Sequence, residues 1–361
     1  MKIIFDVKHL YYLPQYLPVY HELTRNNVCC EFVFYTVADK ELKRISEQVI
    51  SKERFSVHWV SSDEEALEYY SAIKVDWIIF GNTITHAEQL HQHSKTALMH
   101  HGIGPKSCYY DVSNNSVKVR FVEGQHRLER LESCYPTGTF IDSGYAKLDP
   151  AFNNTKNQYT LEMLGLDPGK KTLLYAPTFY PSSIELFSEN FANDFSQYNI
   201  ILKPHFFTLT KPRYTAQRKL LERWQTCENV YLAPTIEYNL VPFMLLSDLL
   251  ISDASSAIFE FAALGKPIVW CDFYKLRWTY RGLFKSRLKK RLDPDIDFFR
   301  DISHQIKHYS HLYSTIEDIF MRHSSKEKMQ RKITKELAGL TDGKCSQRIT
   351  QYLLTGTIDS L

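Results

Sequence analysis

The sequence has no Cys-x-x-Cys pair, no segment of low complexity and no unbroken apolar run of about 18 residues. Each absence removes a class of protein. The seven cysteines, Cys29, Cys30, Cys108, Cys134, Cys227, Cys271 and Cys345, are odd in number and irregular in spacing. That argues against a disulfide framework or a structural zinc site and for a reducing compartment. Without a long apolar run, no transmembrane helix is expected. The opening MKIIFDVKHL has neither the apolar stretch nor the small-residue cleavage site of a signal peptide. Excess charge is missing too, since a formal net charge of +3 does not mark a nucleic-acid binder. The expectation is a soluble, cytoplasmic chain.

What is present is material for two cores. A length of 361 residues favours two domains, and a hydrophobic content of 44% suffices to fill both. Short apolar or β-branched runs alternate with amphipathic stretches. In the first half the strands are expected at Lys2–Asp6, Glu31–Tyr35, Ser56–Val60, Asp76–Phe80, Ala97–His100 and Val117–Val122. Helical stretches such as Leu17–Arg25, Asp39–Ile50, Asp63–Ser71 and Gly124–Glu132 separate them. After the polar break Asn153–Asn157 the plan restarts, with strands at Thr172–Ala176, Ile200–Lys203, Val230–Leu232, Leu249–Ile251 and Pro267–Trp270. From Asp295 onward the chain reads as helical. Strands alternating with helices imply βαβ units and parallel sheets. The expectation is two Rossmann-like doubly wound domains, residues 1–150 and 151–361, with the boundary near 144–157.

Ligands of open parallel sheets bind beyond the carboxyl ends of the strands, so residues just past each predicted strand are the candidates. The strongest signal is Ser252-Asp253-Ala254-Ser255-Ser256, where a strand runs into a helix. A helix start offers free N–H groups to a phosphate, with Ser255 and Ser256 as extra donors; a plain helix cap explains the same residues equally well. Glu260, further along, suits a ribose hydroxyl or a solvated helix face. A second signal, His100-His101-Gly102-Ile103-Gly104-Pro105-Lys106, offers a general base, two permissive glycines and a cation. On its own, a structural loop histidine is the commoner reading. Lys203-Pro204-His205 and Tyr175-Ala176-Pro177-Thr178 end two further strands, and taken singly each reads as a simple turn. His91-x-His93 lacks the companions a metal site needs, so none is expected there. From Lys275 to Arg291 the chain carries eight Lys/Arg and no acid. That run suits a polyanionic acceptor, a donor phosphate or an anionic membrane surface, against the alternative of a solvated loop.

Taken in order, these segments resemble the CDP-glycerol glycerophosphotransferase family of teichoic acid and capsule polymer synthesis. The family's His-Gly-x-x-x-Lys loop is matched by His101-Gly102-Ile103-Gly104-Pro105-Lys106, and its Gly-Tyr-x-x-x-Asp segment by Gly144-Tyr145-Ala146-Lys147-Leu148-Asp149. Tyr175-Ala176-Pro177-Thr178, Lys203-Pro204-His205 and Ser252-Asp253-Ala254-Ser255-Ser256 match three more. The resemblance, over roughly 95–272, implies a GT-B fold with the donor held between its two halves, an acceptor-side first domain and a donor-side second domain. It implies His101 as base on the acceptor hydroxyl and His205 as the group assisting the departing nucleotide phosphate. Gly102, Lys106, Pro177, Thr178, Lys203, Asp253, Ser255, Ser256 and Glu260 would contact the donor, without metal or other cofactor. The implied reaction transfers glycerol phosphate from a CDP-linked donor to a glycan or lipid-linked acceptor and releases CMP, with no nucleic-acid partner, in the cytoplasm or at the inner face of the cell membrane. The sequence departs from the family where Lys203 replaces Arg, where Ala254 replaces Tyr, and at Phe179-Tyr180-Pro181. These departures leave CDP-ribitol open as donor, and a nucleotide sugar open for a GT-B glycosyltransferase or an epimerase-like enzyme. A non-catalytic binding protein of a surface-polymer assembly is the alternative of a different class.

Overall fold

The computed structural model describes residues 1–37, 39–82, 85–104, 108–276, 294–322 and 326–358. Two compact units emerge. The first comprises Met1–Ile103, Cys108–Thr155 and Lys335–Leu361; the second comprises Gly104–Ser107 and Lys156–Thr334.

In the first unit seven strands form one sheet: β1 (Lys2–Val7), β2 (Cys29–Tyr35), β3 (Val57–Val60), β4 (Trp77–Phe80), β5 (Lys95–Met99), β6 (Val119–Val122) and β7 (Phe140–Asp142). Their order is β3-β2-β1-β4-β5-β6-β7, and every pairing is parallel. Ile3, Ile4, Phe5 and Val7 of β1 are buried, as a central strand covered on both faces requires. Helices lie between the strands. Ser62 starts Asp63–Ile73 by accepting the Glu65 amide, and Asp39 starts Lys40–Glu53 by accepting those of Glu41 and Leu42.

Six strands build the second sheet: β8 (Thr172–Tyr175), β9 (Asn199–Leu202), β10 (Val230–Leu232), β11 (Leu249–Ser252), β12 (Ile268–Cys271) and β13 (His304–Ile306). The order β10-β9-β8-β11-β12-β13 is again all parallel and repeats the plan of the first sheet. Tyr175, Phe187, Phe191, Phe195 and Trp224 fill one face of its core. Burying each such side chain stabilises the unit by roughly 1.5–3 kcal/mol.

The structure departs from the sequence reading in three places. β7 was not anticipated, and β13 falls where only helix was expected. Each is a three-residue strand without a run of apolar residues. The third departure is the tail. The sequence reading kept everything from 151 in the second domain, whereas Lys335–Leu361 belongs to the first unit. The helix Cys345–Thr355 is tied there by four hydrogen bonds to three separate segments of the first unit. Trp77 donates its indole N–H to the Leu353 carbonyl at 2.9 Å. Arg348 donates Nε to the Ser143 carbonyl at 2.9 Å. Asp149 accepts the amides of Cys345 at 3.1 Å and Ser346 at 2.6 Å, meeting two of the donors that a helix start leaves unpaired.

The Asp149 anchor yields a test. Asp149→Ala leaves two buried amides without an acceptor, at about 1–3 kcal/mol each. Urea denaturation is expected to show a loss of about 2–6 kcal/mol.

Candidate active site

Each unit presents one of the two candidate histidines just past a strand end, and in each the backbone engages the same ring atom in an opposite sense. His101 follows β5 in the first unit. Its Nδ1 lies 3.3 Å from the carbonyl oxygen of Gly81, the residue after β4. A carbonyl only accepts, so Nδ1 carries the proton and Nε2 is the basic nitrogen. The backbone behind the ring is held by Tyr145, whose hydroxyl donates to the His101 carbonyl at 2.8 Å. The Tyr12 ring stacks on the imidazole at 5.0 Å, and Tyr11 lies against it at 4.7 Å.

This packing explains the glycines. A Cβ on Gly81 would stand 2.6 Å from the Tyr12 ring, and one on Gly102 would stand 2.7 Å from the Tyr109 hydroxyl. Gly104 needs glycine on both counts. Its φ is +120°, and a Cβ there would lie 3.1 Å from the Phe259 ring in the second unit, where Gly104 itself belongs. Lys106 lies outside the described residues, as do all but Lys275 and Leu276 of the basic run Lys275–Arg291.

His205 follows β9 in the second unit and caps the helix Phe206–Thr210. Its Nδ1 accepts the Phe207 amide at 3.1 Å. The neutral ring therefore carries its proton on Nε2, as a donor. The turn is stitched to the end of β8: the Lys203 amide donates to the Tyr175 carbonyl at 2.9 Å, and the His205 amide to the Pro177 carbonyl at 3.1 Å. Phe179 packs against the imidazole at 4.6 Å. Lys203, Pro177, Thr178 and His205 thus belong to one pair of neighbouring strand ends.

The Ser-Asp-x-Ser-Ser segment divides its labour. The Ser252 hydroxyl donates to the Ala176 carbonyl at 2.6 Å, inside the protein. Asp253 is fully buried, and its carboxylate accepts the amides of Thr178 at 3.1 Å and Ser183 at 3.2 Å and the hydroxyl of Ser182 at 3.2 Å. Burial pushes its pKa up to about 7, against the lowering by those same hydrogen bonds. Asp253 therefore organises the Thr178–Ser183 loop. Ser255 caps the helix Ser256–Ala262 by accepting the Ala257 amide at 3.3 Å, and both serines remain partly exposed. Glu260 corrects one reading. It is 1% exposed, because the helix is buried from Ala257 to Ala262, so it is not a solvated helix residue.

Tyr11, Tyr12, Gly81, Tyr109 and Tyr145 support the His101 loop and were not singled out from the sequence, although Tyr145 lies in a matched motif. Tyr11 and Tyr12 stand just past β1, and Gly81 just past β4, where the strand-end rule points.

Two doubly wound parallel sheets, each with a polar constellation at its strand ends, define the GT-B fold class. Residues 46–355 match the model of the CDP-Glycerol:Poly(glycerophosphate) glycerophosphotransferase family, and the chain belongs to that family. The teichoic acid poly(glycerol phosphate) polymerase of Bacillus spizizenii is 28% identical over 177 residues, 45% of this chain and 37% of that protein. A teichoic acid glycerol-phosphate primase of the same organism is 33% identical over 138 residues, 37% of this chain and 34% of that protein. The chain thus spans little more than a third of the length of these curated relatives. Among solved structures, the wall teichoic acid polymerase TagF superposes with a TM-score of 0.66 at 16% identity, covering 98% of this chain and 88% of that one. A putative UDP-N-acetylglucosamine 2-epimerase from Listeria monocytogenes gives 0.65 at 12% identity, covering 99% and 97%. At these identities the likeness establishes the fold.

Asp253 makes stability depend on pH. Its folded pKa of about 7 lies above its ordinary value of 3.8, so between these limits the folded chain holds a proton that the unfolded chain has released. This contribution is fully present below about pH 4 and lost as pH rises through about 7. Asp6 and Glu123, raised by burial to about 6 and about 7, act in the same direction. Urea midpoints of the wild type are expected to fall between pH 5 and pH 7.5, and those of Asp253→Asn to fall less steeply.

Proposed function

We propose that this chain transfers glycerol phosphate from CDP-glycerol to a hydroxyl of a cell-surface glycan or lipid-linked acceptor and releases CMP. Membership of the family supports the reaction class, and the observation that carries the mechanism is the opposite wiring of the two imidazoles. His101, on the acceptor-side unit, has Nε2 as a base. His205, on the donor-side unit, has Nε2–H as a donor. In the transfer, Nε2 of His101 takes the proton of the acceptor hydroxyl as its oxygen bonds to the distal phosphorus. The bond from that phosphorus to the bridging oxygen breaks, and the electron pair leaves with CMP. The Nε2–H of His205 stabilises the charge gathering on the departing phosphate.

The remaining donor contacts are assigned to Gly102, Lys106, Pro177, Thr178, Lys203, Ser255, Ser256 and Glu260. Asp253 serves the donor through the Thr178 loop. A backbone group engages Nδ1 of each imidazole, which supports catalysis by positioning. The TagF structure soaked with CDPG concerns that protein, and it makes CDP-glycerol the first donor to try here. Attachment at the inner face of a membrane is assigned to the basic run Lys275–Arg291 on its charge alone. Among the described residues, no helix is long and apolar enough to cross a membrane.

Asparagine separates wiring from chemistry. In His101→Asn the side-chain amide can still donate to the Gly81 carbonyl, and in His205→Asn the amide oxygen can still accept from Phe207, but both lose Nε2. With CDP-glycerol and a glycerol-phosphate-primed acceptor, CMP release is expected to fall about 10²–10⁴-fold in His101→Asn, the usual contribution of a general base. A melting temperature close to that of the wild type would accompany the loss. Undiminished turnover in His101→Asn would remove the base, and CMP release with CDP-ribitol alone would move the donor.

A further inference from the structure

A recess in the first unit lies at the ends of β1, β2 and β4, lined by Asp6, Lys8, Tyr12, Tyr35, Asp63 and Asn82, with Phe80 at its side. β1 and β4 are the neighbours at which the strand order reverses, where an open parallel sheet leaves its crevice. The space amounts to about one water-sized group. Its polar lining is built rather than incidental. Asp6 is 5% exposed in a strand that is otherwise apolar at its buried positions, and its Oδ2 accepts the hydroxyls of Tyr35 at 2.8 Å and Tyr70 at 2.7 Å. Oδ1 has no hydrogen-bond partner among the described residues. On the rim, Lys8 is held by Asp63 at 2.7 Å. Tyr12 is both a wall of this recess and the ring stacked on His101.

We propose that the recess is the acceptor chain-end subsite, receiving the hydroxyl next to the one that attacks. The proposal rests on the function proposed above and deepens it. It assigns Asp6 as the group that recognises a vicinal diol. A hydroxyl both donates and accepts, which matches an open carboxylate oxygen beside the ammonium of Lys8 and the amide of Asn82. A group of that size fits, whereas a further sugar ring does not. With the neighbouring hydroxyl held beyond Tyr12, the reacting hydroxyl is presented on the His101 side of the same ring. Chain ends with adjacent hydroxyls, such as a terminal glycerol or ribitol, are thereby selected over ends with a lone hydroxyl.

Two synthetic acceptors decide the matter, one ending in a 1,2-diol and one lacking only the hydroxyl beside the reactive one. CMP release is measured with CDP-glycerol. The wild type is expected to favour the diol at least about 100-fold in kcat/KM, because a site built around a hydroxyl rejects its absence strongly. In Asp6→Asn and in the rim variant Lys8→Ala this ratio is expected to shrink. If Asp6 only anchors Tyr35 and Tyr70, its variant loses stability while the ratio stays at its wild-type value, which overturns the assignment. Equal use of both acceptors by the wild type overturns it without any variant, while leaving the transfer reaction intact. Absence of CMP with either acceptor overturns the transfer reaction and the subsite together.

Discussion

The opposite wiring of the two candidate imidazoles turns on one backbone group at each ring. A carbonyl behind His101 and an amide beneath His205 fix which nitrogen holds a proton before any ligand arrives. Histidine alone does not define a role, because its neutral ring is a base at one nitrogen and a donor at the other. Here the choice is made by the fold. Gly81 presents its carbonyl because β4 ends there. Phe207 presents its amide because a helix starts there and its first amides need acceptors. The arrangement is pre-set by the fold, and polar groups placed in advance need little reorganisation when a ligand arrives.

That pre-setting depends on packing around the glycines. The Tyr12 ring leaves no room for a side chain on Gly81, and the Tyr109 hydroxyl leaves none on Gly102. Aromatic rings hold the His101 loop where a loop of small polar residues would wander. Tyr145 adds a hydroxyl to the His101 carbonyl, and Asp149, four residues on, anchors the tail helix. The Gly-Tyr-x-x-x-Asp segment is therefore a brace, joining the His101 loop to the tail helix of its own unit.

Much of this was legible in the sequence. The central strands declare themselves by continuous apolar runs, and the candidates read as lying past strand ends, His101, His205 and Ser255, do lie just past β5, β9 and β11. The edge strands Phe140–Asp142 and His304–Ile306 did not declare themselves. A three-residue edge strand needs only backbone pairing on one side, so its side chains carry little pattern. The tail helix was legible as a helix but not as a returning one, since the apolar face of Cys345, Ile349 and Leu353 is silent about which surface it covers. Asp253 illustrates the deeper limit. A carboxylate in a hydroxyl-rich motif suggests a ligand, yet its partners are two amides and a hydroxyl 70 to 75 residues away in the chain. For Glu260 a ribose contact and a solvated helix face stayed equally open, because a single acid in an apolar helix gives no sign of which neighbours enclose it; its burial removes the second.

The repeated strand order brings out how two copies of one architecture differ in the side chains at their crevices. In both sheets the crevice opens between the first strand and the fourth, between β1 and β4 and between β8 and β11. At the first crevice stand Asp6, Tyr12, Gly81 and Asn82. At the second stand Pro177, Thr178, Asp253 and Ser255. In the first unit the buried carboxylate sits on the first strand, holds two tyrosine hydroxyls on one oxygen and lines the recess. In the second it follows the fourth strand, and both its oxygens are taken up by the chain itself. A buried carboxylate thus stands at each crevice from a different strand, lining a recess in one unit and holding a loop in the other. A buried acid past a strand end is evidence of a ligand only when an oxygen remains unspent, and that accounting, rather than the residue type, separates the two crevices.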